Sequence, residues 1–467
     1  MKFGGTSVAD ETCISRVVDI LDHYHKAGNE IAVVVSAMSG VTDELIAIAA
    51  EVIESQGEPP IDPFIQSFRS RHRKVVSAVA PSQADDVLAV IDERLSNLRN
   101  ILNAVHTLRE LTPRSKDYIV SFGERLSALI VSAAIRERGI ASMAFNGCEA
   151  GIVTTPQHGC AQALTESEQH IRSRIAPLLV DSMPVIMGYM GCTKEGIVTT
   201  LGRSGSDYSA AVVGAAIDAD EIWIWTDVDG VMTADPRIIS DARVLPGVSY
   251  LEAMELSYFG AKVLHPRSIE PAMQKDILVR VKNTFNPSHE GSCVFRTEHC
   301  DRRVVKAISY IEKVSLINIS GAQMIGRPGV AKAIFTALAD SNVNVMLISQ
   351  GSSEANISLI VDDDHLITAM EALSGVQKNG YVRDVFYDRN VIAVAVVGSG
   401  MAGTPGISGR IFTALGKAGV NVMMISQGSS EVNVSFVVRS GDGPVALRVL
   451  HDEFRLSEEH DDEPYLS

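Results

Sequence analysis

The sequence predicts an α/β domain of about 300 residues followed by two small α+β modules. Three observations carry this. Short apolar strands alternate with longer helical stretches up to about residue 290, as in a mostly parallel sheet covered by helices on both faces. The stretch Gly326 to Val361 returns as Gly403 to Val438 at an offset of 77 residues, with about 22 of 36 aligned positions identical. Two copies are too few for a solenoid, and the period suits one small unit per copy. Several strands also end in glycine- and hydroxyl-rich junctions, where sheets of this class bind ligands.

Composition narrows the function. With 467 residues, about two to four domains are expected. A hydrophobic share of 46% and a charged share of 21% suit a globular chain. The net charge of −16 argues against nucleic acid or an anionic membrane as partner, while leaving room for an anionic small substrate at a local cationic cluster. No unbroken apolar run approaches a membrane span, and MKFGGTSVADE has no apolar signal core. Cys13, Cys148, Cys160, Cys192, Cys293 and Cys300 show neither metal-ligand nor disulfide spacing, so a reduced, cytoplasmic setting is expected.

In order along the chain, 31–37 reads as a buried strand, with a helix opening at Thr42. Residues 43–54 and 64–110 are helical by period, broken near Pro59-Pro60 and Pro81. Residues 116–139 predict one amphipathic helix, with Tyr118, Phe122, Leu126, Leu129 and Ala133 on one face and Gly139 as its stop. Further strands fit 140–145, 184–190, 221–227 and 278–285. Each repeat then reads strand, Gly-Pro-Gly turn, helix, strand, SQGSSE hairpin, strand, helix, with GRPG in the first copy and GTPG in the second. The first copy has one more strand, 381–387, and the second has none. An unassigned strand at 304–311 is therefore expected to complete the second module, with the first inserted. The expected domains are 1–295, then 313–388, then 304–311 together with 390–458.

The candidate chemistry lies at the junctions. In KFGGTS, Gly4 and Gly5 let backbone N–H groups approach an anion, with Lys2 supplying charge; a plain glycine turn is the alternative. SAMSGVT (36–42) could bind an anion at a helix start, or Thr42 could simply cap its helix. Gly123 beside Glu124 and Arg125 sits inside a strong helix at a cost of about 1 kcal/mol, so a close neighbour should require it. In LGRSGSD, Arg203 suits a carboxylate or phosphate, and Asp207 could be a cap. Thr226 and Asp227 end a strand, and Arg237 and Lys262 add cations downstream. Neither GxxxxGK[ST] nor GxGxxG occurs.

Taken together and in this order, KFGGTS, SAMSGVT, FGER, LGRSGSD, TDVDGV–ADPR, FGAKVLHP and the twin ISQGSSE segments resemble aspartokinase over nearly the whole chain. The resemblance implies an amino-acid-kinase fold, a mostly parallel sheet sandwiched by helices, followed by two α+β ferredoxin-like ACT domains. It implies MgATP-dependent phosphorylation of L-aspartate to 4-phospho-L-aspartate, the entry to lysine, threonine and methionine synthesis. By resemblance, Lys2 and Asp207 are catalytic, and Gly4, Gly5 and Ser7 hold the phosphoryl group. Ser36, Thr42, Glu124, Arg203 and Ser206 would surround aspartate, with Glu124 on its ammonium, Arg203 on its α-carboxylate and Asp207 orienting Lys2. Thr226, Asp227, Met232, Arg237, Lys262 and Val263 would hold the nucleotide. Mg²⁺ binds phosphate oxygens and water, so no protein cage is expected.

The chain departs from the family at three positions. Met1 directly precedes Lys2, which implies a shortened first strand or a start further upstream. Ser204 stands where Gly is common, and Met232 where Tyr is common. No part resembling homoserine dehydrogenase follows the second module. ACT modules imply an amino-acid effector and a homodimer or homotetramer. The effector residues would be Asn344 and Gln350, with Asn421 and Gln427 in the second copy. Lysine-sensing relatives often carry an acidic residue near Met346. Met346 and Met423 offer no such charge, whereas a Gln amide suits a hydroxyl, so threonine is favoured over lysine. Two other readings stay open: a silent kinase that only senses amino acids, and a kinase acting on glutamate, acetylglutamate or UMP.

Overall fold

The computed structural model describes residues 1–260, 264, 266–296, 303–352 and 354–458. It divides into two compact units. One comprises Met1–Val231, Pro246–Tyr250 and Val263–Arg296, the other Met232–Leu245, Leu251–Lys262 and Thr297–Ser467.

The first unit is built on an eight-stranded sheet. Its order is Ser142–Phe145, Met183–Met187, Val33–Val35, Lys2–Phe3, Glu221–Thr226, Leu278–Asn283, Ser292–Phe295 and Gly247–Ser249. The first six run parallel, and Ser292–Phe295 with the edge strand Gly247–Ser249 runs antiparallel to them. Strands buried on both faces should be apolar throughout, and Val33–Val35 and Met183–Met187 are buried at every position. The helix Glu11–Lys26 shows how the layers join. Asp10 caps it by accepting from the Cys13 N–H at 2.8 Å. Ile14, Val17 and Leu21 are fully buried with Phe3, Val33 and Trp225. Each such side chain contributes about 1.5–3 kcal/mol by leaving water.

Two helix boundaries differ from expectation. The helix expected over 116–139 is two helices, Pro113–Val120 and Phe122–Glu137. Ser121 donates its hydroxyl to the Tyr118 carbonyl at 2.7 Å, a side-chain bond that competes with the helical ladder. By length and composition the stretch Pro113–Glu137 could cross a membrane, with a mean hydropathy of 1.4 over its window. Glu124 and Arg125 interrupt its apolar run, so no unbroken span shows in the sequence. Of that window, 83% is buried inside the fold, as in a core helix. The helix expected to open at Thr42 starts at Val41, behind Gly40 with φ 78°.

In the second unit, six strands form one antiparallel sheet in the order Leu347–Gln350, Asn356–Asp362, Ala307–Ser320, Asp384–Val397, Asn433–Arg439, Met424–Gln427. The segment expected as a separate strand at 304–311 is the first half of the 14-residue strand Ala307–Ser320. The register shifts between Ile311 and Val314, where Lys313 takes φ 56°. Before that break, Ala307–Ile311 faces Val397–Ala393, and those residues also pair with Asn433–Val437. After it, Val314–Ser320 lies between Asn356–Asp362 and Asp384–Val391. The expected strand 381–387 likewise runs on as Asp384–Val397 into the second copy. Two long strands are thus shared, and each copy adds its own hairpin and two helices.

Each copy keeps its own apolar core. One gathers Ile317, Ile319, Ile334, Leu359 and Leu373. The other gathers Ile308, Val394, Ile411, Phe436 and Leu447. A fully buried ion pair, Lys306–Glu252 at 3.1 Å, sits in this unit. The second Glu252 oxygen accepts from the Ser399 N–H at 2.7 Å and the Ser399 hydroxyl at 2.6 Å. Both charges are therefore paired, as burial demands.

Candidate active site

The strand Lys2–Phe3 lies between Val33–Val35 and Glu221–Thr226, so the strand order reverses about it, with later strands added on both of its sides. Such reversals open a crevice beyond the carboxyl ends of the strands. Gly4 and Gly5 stand at that end. The Gly4 N–H donates to Trp225 O at 3.1 Å, and the Ser36 N–H to Phe3 O at 3.1 Å. Gly5 must be small, because a Cβ there would meet Ala37 O at 3.0 Å.

Lys2 is buried, and its Nζ lies 2.5 Å from Asp207 Oδ1. A Cβ added at Gly4 would stand 3.5 Å from that Nζ, so the amine reaches over the glycine turn. Asp207 lies in the first turn of helix Gly205–Ala216, where a negative charge suits the helix dipole. Ser204, not Asp207, holds the cap position, with φ 54° and no side-chain cap bond. Neighbouring Ser206 is buried and packs so tightly on Gly188 that a Cβ there would lie 2.8 Å from Ser206 Cβ and Oγ.

Gly123 is in the first turn of Phe122–Glu137 rather than mid-helix, and its neighbours account for it. A Cβ would fall 2.6 Å from Ala37 Cβ and 3.2 Å from Val41 Cγ1. This contact brings Glu124 to the Ser36–Thr42 loop. Glu124 Oε1 accepts from the Ala37 N–H at 3.1 Å, and the Ser127 hydroxyl donates to Ser36 O at 2.7 Å. Glu124 Oε2 is buried without a hydrogen-bond partner. Burial pushes the Glu124 carboxyl up to about 8. Thr42 does not cap its helix, since Gly40 holds the cap with no side-chain bond, and its Oγ1 lies on the Gly123 side.

Lys2, Gly4, Gly5, Ser36, Thr42, Glu124, Ser206, Asp207 and Thr226 therefore converge on one end of the sheet. Arg203 stands exposed on the turn leading into Gly205–Ala216. Thr226 Oγ1 donates to Asp227 at 3.2 Å. Ser7 is fully buried beside this turn, and its hydroxyl hydrogen-bonds Thr284 Oγ1 at 2.7 Å. Met232 and Arg237 lie in the second unit, where Arg237 Nη2 pairs with Asp235 at 2.5 Å. Lys262 and Val263 lie outside the described residues.

Two residues of this region escaped the sequence reading. Tyr189 takes φ 66°, unusual for a bulky residue, and the Ser209 hydroxyl accepts from its N–H at 3.1 Å. Asp117 is buried and accepts from Thr200, Gly159 and His158. Its partners lie 41 to 83 residues away, so no local pattern could announce it.

In the second unit, a cavity of about 330 Å³ is lined by Gly326, Arg327, Pro328, Gly329, Gln350 and Glu354 among others. Glu354 is engaged by the Gly326 N–H at 2.9 Å, and the second copy repeats this with Glu431 and the Gly403 N–H at 2.7 Å. Asn344 is exposed and does not line the cavity. Asn421 and Gln427 are exposed in the second copy.

Residues 1–283 match the amino acid kinase family, and residues 317–376 and 394–454 match an ACT domain. The chain is 36% identical to a maize chloroplastic bifunctional aspartokinase/homoserine dehydrogenase over 98% of its own length and 50% of that protein. It thus spans about half of that relative. It is 32% identical to Arabidopsis chloroplastic aspartokinase 1, over 97% of this chain and 79% of that one. Escherichia coli aspartokinase III, solved with aspartate and ADP, superposes with a TM-score of 0.80 at 27% identity, covering 97% and 98% of the two chains. The same protein is solved with lysine and aspartate in its T-state. On the matched kinase and ACT regions and the full-length relatives, the chain belongs to the aspartokinase family.

Proposed function

We propose that this chain phosphorylates the side-chain carboxylate of L-aspartate with MgATP. The observation that carries the reading is the Lys2–Asp207 pair above the Gly4-Gly5 turn, beside a buried Glu124 with one unpartnered oxygen. A carboxylate is already an anion near neutral pH, so the reaction needs no general base. One aspartate side-chain oxygen bonds the γ-phosphorus as the bond from phosphorus to the β,γ-bridging oxygen breaks. ADP leaves with that electron pair, and no proton moves.

The protein's task is to hold two anions in line and offset the charge spreading over the phosphoryl oxygens. Lys2 and the glycine N–H groups are suited to that. Glu124 would pair its ionised carboxylate with the substrate ammonium, which supplies the charge its pocket lacks. Arg203 would take the α-carboxylate in a forked contact. Among the described residues, the group of three or more potential metal ligands is Asp241, His451 and Asp452, in the second unit. Mg²⁺ would be carried by the nucleotide's phosphate oxygens and water, leaving Asp207 on Lys2. When bound, Mg²⁺ neutralises phosphate charge.

For regulation, the repeated turn and Gln350 wall one cavity, which supports an amino-acid effector there. Glu354 is committed to the turn, and Gln350 can donate to or accept from a hydroxyl. We infer threonine over lysine, acting on a homodimer or homotetramer joined through the repeated modules. A coupled ADP-release assay across L-aspartate, L-glutamate, N-acetyl-L-glutamate and UMP tests the substrate. Release with any acceptor but aspartate contradicts the reading.

A further inference from the structure

Asp117 is a heavily committed carboxylate of the first unit. It is 3% exposed. Its Oδ1 accepts from the Thr200 hydroxyl at 2.6 Å, and its Oδ2 from the Thr200 N–H at 3.0 Å. The Gly159 N–H reaches both oxygens at 3.1 Å, and His158 Nδ1 lies 2.7 Å from Oδ2. These donors come from two separate pieces of chain. Thr200 ends the strand that runs directly into Leu201-Gly202-Arg203. His158 and Gly159 belong to the loop that packs on that turn: a Cβ at Gly202 would lie 2.9 Å from Gly159 O.

Tyr189 is tied into the same structure. Its carbonyl accepts from the Leu201 N–H at 2.9 Å. The turn bearing Arg203 is thus held at its root by one buried carboxylate, with strained Tyr189 against it. Arg203 itself is exposed on this turn.

We propose that Asp117 is a positioning residue for Arg203, setting affinity for the acidic phosphoryl acceptor rather than for the nucleotide. This rests on the reading of Arg203 given above. A buried carboxylate accepting several N–H and O–H donors is replaced poorly even by Asn. The amide nitrogen cannot accept from the Thr200 N–H or Gly159 N–H, leaving a donor unpaired.

The test is Asp117→Asn in the full-length chain, with Thr200→Val as a milder second variant. Losing charge-assisted bonds at the root should raise KM for aspartate about tenfold or more, with KM for ATP nearly unchanged and kcat within a few-fold. Thr200→Val should move the same constant in the same direction by less. Amide exchange is read in parallel. Protection at 157–162 and 200–205 should fall while that of Glu221–Thr226 stays. Equal changes in both KM values, or no loss of protection in the two segments, would overturn the proposal. A wild type without aspartate turnover would defeat the functional reading instead, and the exchange data would then decide the positioning role alone. Should Asp117→Asn fail to fold, Thr200→Val carries both readouts.

Discussion

Lys2 Nζ and Asp207 Oδ1 lie 2.5 Å apart, joining the first strand of the sheet to the first turn of a helix some 200 residues later. The pair fixes the amine over the Gly4-Gly5 turn. Lys2→Ala should lower kcat about 10²-fold or more, as losses of preorganised charge do. Asp207→Asn keeps the amine but releases its aim, and should lower kcat by a smaller factor. Steady-state kinetics at saturating ATP and aspartate check both. Near-normal turnover in Lys2→Ala would remove Lys2 from the mechanism.

Arg203→Ala should raise KM for aspartate far more than KM for ATP. A change confined to ATP would move Arg203 to the nucleotide.

Glu124 gives a pH signature. Its carboxyl is pushed up from 4.5 to about 8 by burial. Between those values the folded protein holds a proton that the unfolded chain has released. Its stabilising contribution is full below about 4.5 and is lost as pH rises through about 8. Glu124→Gln removes this titration. Relative to wild type, the free variant should gain on the order of 1 kcal/mol or more between pH 5 and 9, read from Tm, while losing turnover. Parallel Tm curves for the two proteins over that range would show that Glu124 does not titrate as described.

Ser204 sits at φ 54°, where glycine is at ease and serine is not. Ser204→Gly should stabilise the protein by roughly 0.5–1 kcal/mol, after glycine's own entropy cost. Denaturant midpoints measure it, and a lower midpoint would mean the Ser204 side chain is itself engaged.

Inhibition by threonine should weaken in Gln350→Ala, with uninhibited activity retained. Tyr258→Phe should act in the same direction, because the Tyr258 hydroxyl donates to Met346 O at 3.0 Å, just before the strand that carries Gln350. Titrations at subsaturating aspartate decide it. Inhibition by lysine but not threonine would reverse the choice of effector.

Much of the architecture was legible because it is local. The 77-residue repeat, the alternation of strands and helices, and the glycine junctions can all be read in short windows. What local reading missed has physical causes. Ser121 ends one helix and Phe122 opens the next within a continuous apolar pattern, because a side-chain hydroxyl competes for a carbonyl. Residues 304–311 run on into one strand with Val314–Ser320, through a register shift between Ile311 and Val314. The Ser7 hydroxyl meets Thr284, far along the chain, a contact no short window shows. Asp117 and Tyr189 gain meaning only from partners that folding brings to them.

The most direct test of the central claim is a trapping assay. Purified full-length protein, ATP, Mg²⁺ and L-aspartate are incubated with hydroxylamine, which captures an acyl phosphate as its hydroxamate. Aspartyl hydroxamate should form in step with ADP, and no hydroxamate should form when aspartate is replaced by glutamate. No hydroxamate above a no-enzyme control, from folded protein with Mg²⁺ present, would contradict it.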